Sequence, residues 1–143
     1  MIVAFCGHRT LDDVQAVRQW LGKLLPGLIE EGADTFYVGD KGAFDAMAAS
    51  VAASCKQCYP QVRVTLVQAY MNQPPVPEWH DDALYPDLEH VPPRFAITHR
   101  NRYMIRKCDV LVAYVVRSAG NASRMRDYGR RLHKRVITFP EEI

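Results

Sequence analysis

Residues 2–6 read Ile-Val-Ala-Phe-Cys, an unbroken apolar run closed by Gly7-His8-Arg9-Thr10. A strand with no polar alternation is buried on both faces. That condition belongs to parallel sheets covered by helices on each side, and it narrows the fold to the α/β class.

The rest of the chain keeps the same rhythm. Residues 12–31 carry Val14, Val17, Leu21, Leu24, Leu25 and Leu28 at helical spacing, with Pro26 as a kink or shortening point and Gly32 as the stop. Residues 35–38 form a second strand, Gly39-Asp40-Lys41-Gly42 a turn, and 44–59 an alanine-rich helix. Residues 62–67 form a third strand. A basic helix over 98–108 follows, with Thr98 as its N-cap. Residues 110–116 form the fourth strand and Ser118-Ala119-Gly120-Asn121 a turn. A helix over 122–133 and a strand over 135–139 complete the pattern. The expected architecture is a Rossmann-like, doubly wound, mainly parallel five-stranded sheet with helices on both faces. Its ligand crevice lies where the first and fourth strands sit side by side.

The 143 residues suit one domain spanning 1–143. Residues 68–96 stand apart as an excursion holding six of the nine prolines, Pro74, Pro75, Pro77, Pro86, Pro92 and Pro93. A loop of this length is functional in most compact domains, and a lid over the crevice is the expectation. A formal net charge of +2 gives no general attraction to a phosphate backbone, so nucleic acid is not expected as a partner. No stretch approaches the roughly 20 apolar residues of a membrane span, and the apolar start lacks a basic flank. No membrane association and a cytoplasmic location are therefore expected. Cys55 and Cys58 form a C-x-x-C pair at the end of a helix, the wrong end for a redox pair, and close-spaced zinc ligands are lacking. Four free thiols, no metal and no cofactor are expected.

Three glycine turns follow strands: at Gly7, at Gly39 to Gly42, and at Gly120. Such turns admit a phosphate to backbone N–H groups at a helix start, and αβ folds also need them for purely structural reasons. Arg9 is placed to pair an anion bidentately. His8 is either a hydrogen-bonding or basic group, or a cap on its turn. Asp45, beside Phe44, either complements the helix dipole or binds a ribose hydroxyl. On the basic helix, Arg100, Asn101, Arg102, Arg106 and Lys107 are either one solvated basic face, or Arg100 and Asn101 face the crevice with the others in water, Met104 and Ile105 then belonging mainly to the core.

Cys6-Gly7-His8-Arg9, the segment from Phe36 to Asp45, Val91-Pro92-Pro93-Arg94-Phe95-Ala96-Ile97, Arg100-Asn101-Arg102-Tyr103-Met104 and Gly120-Asn121-Ala122 together resemble the SLOG superfamily of Rossmann-like proteins. That superfamily includes DNA-processing protein A and the cytokinin-activating LOG enzymes. The similarity is greatest to small bacterial YpsA-like proteins of uncharacterised role. It implies a fold that binds nucleotides or their derivatives, with a homodimer as a common assembly. With the turns, it assigns ligand binding to Gly7, His8, Arg9, Gly39, Asp40, Lys41 and Gly42. It adds Phe44, Asp45, Arg100, Asn101, Met104, Gly120, Asn121 and Ser123. LOG enzymes cleave an N-glycosidic bond with a glutamate just after their glycine turn. Here Asn121-Ala122-Ser123-Arg124-Met125-Arg126 holds no acid before Asp127. The leading expectation is therefore a module that binds or senses a nucleotide-like phosphate ligand, with no catalytic residue assigned. A nucleoside-phosphate hydrolase using Asp45 or His8 is the first alternative. A protein- or single-strand nucleic-acid-interaction module is the second.

Overall fold

The computed structural model describes residues 1–71, 77 and 79–140. In chain order its regular elements are β1 (Ile2–Gly7), α1 (Val14–Glu30), β2 (Thr35–Val38), α2 (Ala43–Ser54), β3 (Arg63–Val67) and β4 (Asp82–Leu84). They continue with α3 (Ala96–Lys107), β5 (Val110–Tyr114), α4 (Asn121–Arg131) and β6 (Arg135–Phe139). Short 3₁₀ turns follow α2 at Cys55–Gln57 and precede α3 at Pro93–Phe95.

The strands form one sheet in the order β4-β3-β2-β1-β5-β6. Every described pairing is parallel. The fold is the expected Rossmann-like class with one more strand than the sequence suggested. The sixth strand is β4, which comes out of the proline-rich excursion. It pairs with the end of β3, Thr65 opposite Asp82 and Val67 opposite Leu84. Two side-chain contacts anchor its approach: Asp81 Oδ2 accepts the Val64 N–H at 2.7 Å, and Lys56 pairs with Asp81. Part of the excursion, residues 72–76 and 78, lies outside the described residues.

Alternate residues of the central strands feed opposite layers. Val3 and Phe5 of β1, with Val110, Val112 and Tyr114 of β5, pack against Val17, Leu21 and Leu25 of α1 and Phe44, Ala48 and Ala52 of α2. Ala4, Cys6, Leu111 and Ala113 pack instead against Met104 and Ile105 of α3 and Ala122 and Met125 of α4. Burial at every position of Val3–Cys6 is what the unbroken apolar run demanded.

Several boundaries differ from expectation for local reasons. Helix α1 starts at Val14 because the Asp13 carboxylate accepts the Ala16 N–H at 3.0 Å. It runs through Pro26 to Glu30, and Gly32 closes it at φ 122°. Helix α3 starts at Ala96, not after Thr98. Phe95 stands at its N-cap position, and the 3₁₀ turn at Pro93 leads the chain directly into it. The switch point falls between β1 and β5, so the turns after Gly7 and Tyr114 face each other.

Candidate ligand-binding crevice

Gly7 ends β1, and its backbone lies against α2. A Cβ there would meet the Phe44 ring at 2.4 Å. The glycine is required by helix packing. Phe44 is fully buried, stacked on Tyr114 at 5.6 Å and edge-on to Phe5 at 6.2 Å. Its assignment to the ligand is therefore corrected: Phe44 is the core residue that sets the floor of the turn.

His8 bridges the switch point. Its Nε2 accepts the Val116 N–H at 3.0 Å and the Arg117 N–H at 3.3 Å. Accepting at Nε2 requires that nitrogen to be unprotonated, so the neutral ring carries its proton on Nδ1. Burial lowers the His8 pKa, the Arg117 charge lowers it further, and Asp12 opposes both. Of the two accounts of His8, the cap on the turn describes Nε2.

The three turns are not equivalent. Asp13 already caps α1, which begins well beyond Gly7. Helices α2 and α4 instead begin at Gly42 and Gly120, at φ 110° and 109°, without a side-chain cap. A side chain at Gly42 would strike the Arg9 Cα at 2.6 Å, and the Ala43 N–H donates to the Arg9 carbonyl at 2.8 Å. The His8-Arg9 turn is thus clamped to the start of α2. At the other start, Ser123 Oγ donates to the Ser118 carbonyl at 3.0 Å and holds the turn before α4.

Arg100 is 1% exposed. Its Nη1 donates to Asp40 Oδ1 at 3.1 Å and to the Val67 carbonyl at 3.0 Å, and its Nε donates to Asn101 Oδ1 at 2.8 Å. Arg100 therefore ties α3 to the ends of β2 and β3. Gly39 makes room for the cluster, since a Cβ there would lie 2.8 Å from Asp45 Oδ2 and 3.0 Å from the Arg100 guanidinium. Asp45, in the first turn of α2, accepts the Lys41 N–H at 3.2 Å. Burial pushes its carboxyl up to about 6, against the Arg100 charge and the Lys41 hydrogen bond, which pull it down.

A cavity of about 490 Å³ opens over these turns. Of the expected site residues, Gly7, His8, Arg9, Lys41, Asp45, Arg100, Asn101 and Asn121 line it. Gly39, Asp40 and Gly42 stand behind the wall as just described. Gly120 and Ser123 shape the α4 turn, and Met104 is buried in the core between α3, α4 and the sheet. Arg94, Thr98, Ala122, Arg124 and Met125 also line it and were not expected there. Of the excursion's described residues, only Arg94 reaches the cavity, so a lid made of its body finds no support among them.

The lining is electrostatically one-sided. Among the described residues, Arg9, Lys41, Arg94, Arg100 and Arg124 face a single carboxylate, Asp45. Arg100 is paired, but Arg9, Lys41, Arg94 and Arg124 have no ion-pair partner among the described residues. Cys6 also lines the cavity, and burial raises its thiol pKa far above the ordinary value, which makes it a neutral wall. Among the described residues no group of three or more His, Cys, Asp or Glu side chains is placed to hold a metal ion. No described helix is long and apolar enough to cross a membrane.

The fold and crevice define a Rossmann-like protein with a polar pocket at the sheet's switch point. No protein-family profile and no curated protein matches the sequence. Among solved structures, the chain is similar to DNA processing protein A from Helicobacter pylori, described for its single-stranded DNA binding mode. The TM-score is 0.69 at 15% identity, over 100% of this chain and 66% of that one. This chain thus spans just under two thirds of that protein. The likeness concerns the fold alone. A provisionally named phosphomethylpyrimidine kinase from Bacteroides thetaiotaomicron aligns over 99% of this chain and 63% of its own at 13% identity. Its TM-score of 0.27 is too low to bear on the argument.

Proposed function

We propose that this protein binds a nucleotide or nucleotide-derived phosphate compound in the crevice between the β1, β2 and β5 turns. The observation that carries the proposal is the set of four cations, Arg9, Lys41, Arg94 and Arg124, around one cavity with no ion-pair partner among the described residues. Unpaired cations crowded together repel one another, and an anion relieves that repulsion. The uncapped start of α4 adds oriented N–H groups and a positive dipole end at Asn121 and Ala122. The cavity is large enough for one nucleotide-sized ligand. DNA processing protein A, the fold neighbour, binds single-stranded DNA, which presents the same phosphate and base chemistry. A single-strand ligand therefore remains an alternative within this reading.

A second reading rests on Asp45. A half-buried carboxyl held at about 6, facing a phosphate-binding wall, has the acid strength of an acid/base group at neutral pH. On that reading the protein cleaves a nucleoside phosphate at its N-glycosidic bond.

A thermal-shift panel of AMP, ADP, cyclic AMP and ADP-ribose tests the first reading. A ligand at 100 times its Kd adds about 2.7 kcal/mol of stability. The proposal expects a concentration-dependent rise in Tm with at least one of them, and no response to any would refute it. Chromatography of the incubated mixtures tests the second reading, for which free base must appear.

A further inference from the structure

Beside the crevice lies a second concavity of about 600 Å³ between α3 and α4. Thr98, Asn121, Arg124 and Met125 line both, so the two adjoin across these side chains. The second part differs in character from the first. Phe95, 46% exposed, stands at its edge, and Tyr128 lies along it. The Arg94 guanidinium sits 4.8 Å from the Phe95 ring centroid, and those of Arg102 and Arg131 sit 5.7 and 5.8 Å from that of Tyr128. Among the described residues one carboxylate, Asp127, lies in this part, paired with Arg126 at 3.2 Å.

Aromatic faces with guanidinium groups beside them suit a nucleobase followed by a phosphate. The base stacks on a ring or on a guanidinium plane, and the arginine meets the phosphate. A merely solvated basic surface does not require an exposed phenylalanine at the edge of a concavity that adjoins an anion pocket. Arg94 and Phe95 are adjacent in sequence and divide between the two parts, the cation in the crevice and the ring in the groove. Arg124 belongs to both, where a linking phosphate between two units would lie.

We infer that the α3–α4 groove is a second, base-stacking subsite, so that the full ligand comprises two nucleotide units joined by phosphate. This rests on the proposed crevice function and adds the size and chemistry of the ligand.

Isothermal titration of the full chain with AMP and with 5′-phosphorylated diadenylate tests it. Stacking a second base predicts a Kd for the dinucleotide at least about tenfold tighter than for AMP. Arg131→Gln alters an exposed side chain that lines the groove and not the crevice. It is expected to erase most of that gain and leave the AMP affinity unchanged. A ten-residue oligoadenylate separates the sources of such a ligand, and both of its outcomes uphold the groove. An affinity equal to that of the dinucleotide assigns a free dinucleotide. A further tenfold gain that falls steeply with salt assigns a strand continuing past the groove. Equal affinity for AMP and the dinucleotide overturns the inference, as does an Arg131→Gln variant that weakens both alike. A decaglutamate peptide that competes at the groove as strongly as the dinucleotide overturns it too. If AMP binds and the dinucleotide shows no gain, only the groove assignment falls. If neither binds, the crevice reading falls with it.

Discussion

Nε2 of His8 accepts the N–H of Val116 at 3.0 Å, a contact between residues 108 apart in sequence. It joins the carboxyl ends of β1 and β5, the two strands that flank the switch point. Truncating His8 leaves the N–H groups of Val116 and Arg117 without their acceptor. His8→Ala is therefore expected to cost roughly 1–2 kcal/mol, read by urea denaturation at pH 7.5. The folded pKa of His8 lies below its ordinary 6.5, so folding favours the neutral ring. That contribution is present above pH 6.5 and fades as pH falls through 6.5 toward the folded value. The gap between wild type and His8→Ala should narrow on acidification. A gap that widens below pH 6 would contradict the acceptor role.

Asp45 titrates in the opposite sense. Its folded pKa of about 6 lies above its ordinary 3.8, so the folded state takes up a proton as pH drops through 6. The burden of its buried charge is present above pH 6 and is relieved below it. Asp45→Asn keeps an acceptor for the Lys41 N–H and removes that charge. At pH 8 it should stabilise the fold by up to about 2 kcal/mol, allowing for partial exposure. On the binding reading it should also tighten an anionic ligand at that pH, while wild type gains affinity only as pH falls through 6. On the hydrolase reading, the same variant abolishes base release. Calorimetry and product chromatography on one sample decide between them.

Arg100 and Asp40 form a nearly buried pair, 1% and 20% exposed, braced by the Val67 carbonyl. Asp40→Ala strands a buried guanidinium and is expected to cost about 3 kcal/mol. Denaturation at two salt concentrations checks this: a buried pair gives a loss that salt barely changes, whereas an exposed one would give a small, screened loss.

Gly7→Ala places a methyl group into the Phe44 ring, where the nearest carbon lies at 2.4 Å. Overpacking of this kind costs about 1–3 kcal/mol. The same change in a Phe44→Leu background should cost much less. Additive losses would show that ring contact is not the reason for the glycine.

The sheet was readable where strands are buried on both faces. β2 and β6 fall where their apolar runs placed them, and β1 and β5 differ only at one end. β4 was hidden because Asp82-Ala83-Leu84 is three residues at a sheet edge, with neither a buried run nor an alternating pattern. Its place is set by pairing with β3, a non-local fact. The crevice was half readable for a related reason. Residues in turns directly after strands, such as Arg9 and Lys41, are positioned by the fold class alone. Arg94 depends on where a long loop returns, and local sequence does not encode that. Arg124 stands in the stretch where the LOG enzymes carry their acid, and its signal is a cation in place of that acid. Motif position does not distinguish a wall from the core behind it: the resemblance assigns Phe44 and Met104 to the ligand, yet both are buried, and for Met104 helical spacing alone points to the core.

The central claim is that unpaired cations hold an anionic, nucleotide-like ligand. Arg9 and Arg124 are exposed and lack ion-pair partners among the described residues, so replacing them is expected to leave the fold intact. The most direct measurement is isothermal titration of ADP-ribose and AMP into wild type and an Arg9→Ala/Arg124→Ala variant of unchanged Tm. Losing two charge-assisted contacts of about 1.5–3 kcal/mol each predicts at least a roughly hundredfold weaker Kd. Equal affinity in the two proteins, or no binding of either compound to wild type, would contradict the account.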